Sequence, residues 1–176
     1  MKRMLAFVFI TAIFAASCSG GASNSSSPDS TSSAKMAADS MLEKNKATAL
    51  AAVQAFASGN IDEAFKDVTQ DAVDYGDGTG APIKGLDSIK AGAKMFVTSF
   101  ANIKVENPLV IGDGNHVAVF GDWSGTFKNP MMGIKPTGKS YKVRDADLFT
   151  FNDAGKITEH WSTQEVQTIM GQVMGK

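Results

Sequence analysis

A single cysteine, Cys18, stands in 176 residues, so no internal disulfide can form and the fold must hold without covalent staples. Histidine is almost as scarce. His116 and His160 lie far apart in the chain and, with no second thiol, offer no metal-ligating constellation. Arginine occurs only at positions 3 and 144, and no basic run is interleaved with aromatics, which argues against a nucleic-acid partner. Long hydrophobic runs are missing too. The longest, Met4–Ala16, is too short to span a bilayer. The glycine-rich stretch GDGTG at 76–80 lacks the Lys-Ser/Thr continuation of a phosphate cradle, and it reads as a turn beside a cavity mouth. No motif calls for a cofactor.

What is present begins with an address. Lys2 and Arg3 precede the apolar core Met4–Ala16, and the small residues Ala15, Ala16 and Ser17 lead to Cys18. This arrangement resembles the lipobox of bacterial lipoproteins. The resemblance implies that residues 1–17 are a signal peptide and that Cys18 is lipidated, anchoring the protein in the cell envelope. Ser19, where an aspartate would favour inner-membrane retention, points to the outer membrane. Without Lys2 and Arg3, 15 of the 17 basic side chains remain against 18 acidic ones, so the mature net charge is near −3. Residues 18–39, rich in Ser and Gly, bury too little apolar surface to offset their ordering entropy and are expected to form a flexible tether. At about 20 residues, its end-to-end distance is roughly 25 Å.

A single domain is expected over 40–176. Ser40 and Glu43 have capping-box spacing, followed by Leu50, Val53 and Ala57 on one helical stripe. Ser58-Gly59-Asn60 breaks the chain, and Ile61, Ala64, Phe65 and Val68 mark a second helix. A short strand at 72–75 precedes a third helix carrying Ile89, Ala93, Phe96 and Phe100. Strands are expected at 103–111, 116–127, 140–152 and 156–163, then a tail helix through Val166, Ile169, Met170 and Val173. Helices first and antiparallel strands afterwards make an α+β order.

The stretch GNIDEAFKDVTQDAVDYGDG resembles the SnoaL-like polyketide cyclase branch of the NTF2-like superfamily. So does the later stretch SGTFKNPMMGIKPTGKSYKVRDADLFTFNDAGKITEHW. The shared features are the Gly59-Asn60 break, the segment ending in Pro136-Thr137-Gly138-Lys139, and the run from Asp147 through Phe151 and Gly155-Lys156-Ile157 to Glu159 and Trp161. The resemblance covers about residues 45–175. It implies an NTF2-like cone, with N-terminal helices packed in a curved, mostly antiparallel sheet around an apolar pocket. It also implies a small apolar or amphipathic ligand and isomerase-, cyclase- or dehydratase-type acid–base chemistry. The alternative is a non-catalytic binding or dimerisation module.

Strand parity nominates the site. Asp145, Asp147, Phe149 and Phe151 share one face of their strand, and the phenylalanines should face the helices, so both aspartates should face the cavity. Desolvation against aromatic walls suits Asp147 to proton transfer, with Asp145 tuning it. The plainer reading is a satisfied buried aspartate, bonded to a backbone N–H or to Tyr75. On the next strand, parity groups Glu159 and Trp161 with Thr163 and Glu165. In the cyclases the acid/base aspartate follows this tryptophan by four residues, so the resemblance implies that role for Glu165. Ser162 and Glu165 are equally a capping box. The same parity sends His160 to the outer face, as a surface or dimer-interface residue beside Ala146 and Leu148. Trp123 reads as pocket wall or core. Arg144 points away from the two aspartates, which argues against an Asp-Arg-Asp epoxide hydrolase set.

Overall fold

A computed structural model describes residues 28–163 and 166–175. The signal segment 1–17, Cys18, the tether as far as residue 27, and Glu165 lie outside the described residues. Helix α1 (Pro28–Ala57) is held by Asn45, Ala49 and Val53, buried at four-residue spacing, with Leu42, Leu50 and Phe56 packed beside them. It runs further back than the sequence suggests. Residues 28–39, expected in the tether, continue the helix, and every side chain from 31 to 40 is exposed. The packed turns around Asn45 nucleate it, and propagation through Ala, Lys and Met is then cheap. Ser40 therefore lies inside α1, and Glu43 bonds Lys46 Nζ at 2.7 Å instead of capping a helix start.

Gly59, at φ 79°, turns the chain. Asn60 then caps the single turn α2 (Ile61–Ala64), its side-chain oxygen accepting from the Glu63 N–H at 3.3 Å. Val68 opens β1 (Val68–Asp74) and does not extend the second helix as its spacing had suggested. An unanticipated two-residue strand β2 (Ile83–Lys84) leads into α3 (Leu86–Ser99). Then come β3 (Phe100–Asp113), β4 (His116–Phe127), β5 (Ser140–Phe151), β6 (Ile157–Ser162) and α4 (Val166–Met174).

The sheet order is β2-β1-β6-β5-β4-β3, antiparallel except for the parallel β1–β6 pair. This is the expected α+β cone. Along β4 the inner residues Val117, Val119, Gly121, Trp123, Gly125 and Phe127 are all buried, in strict alternation. Edge strand β3 slips register after Ala101 and after Glu106, where Asn102 and Asn107 take φ of 54° and 50°. Such bulges bend a strand and strengthen its twist, curling the sheet around α1 and α3. β6 pairs with β5 only over 147–151. Past its end, α4 covers the β5 edge, with the Gln172 side chain accepting from Lys142 N–H at 2.9 Å and donating to its carbonyl at 3.2 Å.

Candidate functional site

Between the concave sheet face and the helices lies a cavity of about 300 Å³. Helices α1 and α3 line it with apolar side chains alone, among them Phe56 and Phe96. Phe56 meets Trp123 edge-on, with centroids 6.0 Å apart. The polar and ionisable groups come from the strands: Asp74 from β1, Tyr141, Asp145 and Asp147 from β5, and Glu159, His160 and Ser162 from β6. Among the described lining residues there is no lysine or arginine.

The parity of β5 is as expected, since Asp145, Asp147 and Phe149 all line the cavity. Phe151 shares their face but lies deeper, 1% exposed in the core, and does not line the cavity. The parity of β6 is reversed. Thr150 pairs with Glu159, but Phe151 pairs with Ile157, so Thr158 is an extra residue bulged out of the ladder. Beyond it every side chain exchanges faces. His160 pairs with Phe149 and Ser162 with Asp147, which turns both inward, while Trp161 pairs with Leu148 on the outer face and is 40% exposed. Glu159 borders the cavity, yet its carboxylate turns outward and accepts from Thr150 Oγ1 at 3.1 Å. His160 is thus a cavity residue, not an outer-face one, and Trp161 is the reverse.

Tyr75 accompanies Trp161. Their rings stack with centroids 4.2 Å apart and planes 8° from parallel, so Tyr75 neither bonds Asp147 nor lines the cavity. Trp123 meets both descriptions offered for it, being buried and lining the cavity, and its indole nitrogen has no hydrogen-bond partner among the described residues. Arg144 points outward and bonds Asp122 at 2.7 Å. Among the described residues, no cluster of three or more His, Cys, Asp or Glu side chains is placed to hold a metal ion.

The bulge puts the His160 ring between two carboxylates. Nδ1 lies 3.0 Å from Asp74 Oδ1, and Nε2 lies 3.2 Å from Asp147 Oδ1. The Gly76 N–H also donates to Asp74 Oδ1, at 2.9 Å. Asp147 Oδ2 is buried and has no hydrogen-bond partner among the described residues. Burial pushes the Asp147 carboxyl above its ordinary range; the hydrogen bond and charge of His160 oppose this, and the charges of Asp145 and Asp74 add to it. Burial alone would lower His160, but the bonds and charges of Asp147 and Asp74 outweigh it and hold the imidazole up at about 10. Burial would likewise raise Asp74, but His160 and the Gly76 N–H hold it below the usual carboxylate value. Asp74 was not singled out from the sequence, and the signal available for it was its parity with apolar Ala72 on the same short strand; His160 had no such signal.

Asp145 is occupied differently. Ser162 Oγ donates to its Oδ2 at 2.8 Å, while Thr163 N–H and Oγ1–H donate to Oδ1 at 3.0 and 2.9 Å. Its carboxylate clasps the β6–α4 corner onto β5, and it acts on Asp147 through charge alone.

A model of the SnoaL-like polyketide cyclase family matches residues 46–173. Among solved structures, a candidate polyketide cyclase from Xanthomonas campestris superposes with a TM-score of 0.68 at 18% identity, covering 76% of this chain and 98% of that one. A candidate SnoaL-like polyketide cyclase from Jannaschia gives 0.65 at 22% identity, covering 77% and 95%. IdmH, a candidate polyketide cyclase from Streptomyces antibioticus, gives 0.59 at 24% identity, covering 75% and 99%. These likenesses establish the fold. A search of curated proteins found no match.

Proposed function

Because the chain belongs to the SnoaL-like polyketide cyclase family, we propose that its cavity binds a small apolar or amphipathic molecule and that Asp147 exchanges a proton with it. One observation carries this reading: a buried carboxylate on an apolar cavity wall, with one oxygen held by His160 and the other unpaired among the described residues. A carboxyl raised by burial is suited to general acid–base work near neutral pH. The reaction class that follows is enolisation, isomerisation, dehydration or ring closure through an enolate, with His160 balancing the negative charge. The remainder of the aromatic lining orients the guest by shape.

Native mass spectrometry of the full chain purified from its own host should reveal a bound small molecule that an Ala93→Phe variant, which fills the cavity, no longer retains. Carboxyl NMR titration should place Asp147 above a model aspartate. An Asp147 titrating at the model value removes proton transfer from the reading, and an empty cavity in both proteins removes the guest.

A second reading has its own observation. Ile111, Ala118, Leu148 and Trp161 register as one row across four strands of the outer face, and Ile111, Leu148 and Trp161 are 50%, 41% and 40% exposed. An apolar row of this kind supports pairing with a second copy, with or without catalysis. Sedimentation as a strict monomer at high concentration argues against it. For location, the N-terminal signal supports lipid anchoring through Cys18, most simply at the outer membrane. Labelled palmitate should enter the wild-type protein and fail to enter Cys18→Ser.

A further inference from the structure

We infer that Asp74 is the positioning residue of this site: it holds the Nδ1–H of His160, aims Nε2 at Asp147, and leaves the hydrogen between Nε2 and Oδ1 as the one that can move. The inference rests on the proton-transfer reading above and assigns the third member of its machinery. Both ring nitrogens face carboxylate oxygens, at 3.0 and 3.2 Å. An ionised carboxylate only accepts, and a neutral imidazole has one N–H and one lone pair. Two hydrogens must therefore lie on the Asp74–His160–Asp147 line. Asp74 Oδ1 already accepts from the Gly76 N–H, which favours its ionised form and assigns the Nδ1 hydrogen to the ring. The second hydrogen lies between Nε2 and Asp147, where burial favours a protonated carboxyl and the facing charges favour an imidazolium.

The groups facing His160 support this division of labour. β1 supplies Asp74; β5 supplies Asp147 and the Phe149 ring, its centroid 5.1 Å away, with Asp145 beyond. Glu159, its neighbour on β6, is turned to Thr150. Across the cavity, α1 and α3 supply no charge. When Asp147 takes a proton from a guest, the guest becomes an anion balanced by the imidazolium. Returning the proton restores both, and no other reactant is consumed. Because both N–H groups of His160 are committed to carboxylates and no lysine or arginine stands among the described lining residues, the site favours guests that enter uncharged.

Nitrogen NMR of the imidazole tests this. The chain has two histidines, so a His116→Gln background leaves His160 alone in the spectrum. In that background, the ring nitrogen facing residue 74 should stay protonated through the titration. Asp74→Asn should lower the proton affinity of His160 at least tenfold and mix the tautomers, and Asp74→Glu should recover most of both. An unchanged affinity and tautomer in Asp74→Asn overturns the proposal. So does a loss that appears only in Asp147→Asn. These spectra need no guest, so they separate failure of this assignment from failure of the binding reading, which the native mass spectra report.

Discussion

His160 and Phe149 face each other across β6 and β5, and that pairing turns the imidazole into the cavity, where its Nε2 comes within 3.2 Å of Asp147 Oδ1. Asp147 thereby acquires a cationic partner from the neighbouring strand, one that the inner face of β5 does not carry, since Arg144 points outward to Asp122.

Removing that cation should be costly. His160→Leu takes the imidazole from both carboxylates, leaving Asp74 with the Gly76 N–H and Asp147 buried beside it, and should destabilise the fold by on the order of 3 kcal/mol at pH 7. Adding Asp147→Asn should return part of this, giving a coupling above roughly 0.5 kcal/mol in a urea double-mutant cycle. Additive losses would mean that the pair does not interact.

Stability should also fall in alkali. His160 is raised from 6.5 to about 10. A group raised in the folded state contributes fully below its unfolded value and loses that contribution as pH climbs through the folded one. Melting temperature should therefore decline between pH 6.5 and 10, and His160→Gln should flatten that decline. Asp74 has the opposite sign: held low, it contributes above the ordinary aspartate value and loses that contribution in acid.

Gly121 makes room on the inner face of β4. A Cβ there would overlap Val105 Cγ2 and lie 3.6 Å from the Trp123 indole nitrogen. Gly121→Ala should cost about 1–3 kcal/mol through overpacking. It should also shift Trp123 fluorescence, read in a Trp161→Phe background.

Asp145→Ala should loosen the end of the chain more than the sheet. It removes the carboxylate that Ser162 Oγ and Thr163 Oγ1 donate to, while the Thr163 N–H keeps the Ala146 carbonyl, at a cost of about 1–3 kcal/mol. Hydrogen exchange should quicken in α4 and stay unchanged in β4.

Leu148→Glu places a charge in the middle of the outer apolar row. If two copies pair there, the variant should sediment as a monomer under conditions where the wild type is a dimer, with an unchanged melting curve for the isolated subunit.

Much of this was legible in the residues. The strict alternation of β4, and that of β5 interrupted only around buried Ala146, located the inner face, so the positions of Asp145, Asp147 and Phe149 followed from a period of two. The turn chemistry at Gly59-Asn60 located α2 but not its early end, because Val68 is claimed by a strand pairing with Ile157 that lies far away in the chain. The start of α1 was misread because a local capping box was outweighed by a helix already nucleated through packing.

By itself the amino-acid order determined the α+β plan and the carboxylates on one face of β5, since each depends on neighbours within a few residues. The curved wall was implied by the family resemblance and is made by the register slips of β3 against β4. Only the tertiary structure decided that His160 enters the cavity, that Trp161 and Tyr75 leave it, and that Asp74 completes the line. The reason is one bulged residue, Thr158, whose position is set by how β6 registers against β5; a shift of one residue in a strand of period two exchanges the faces of everything beyond it.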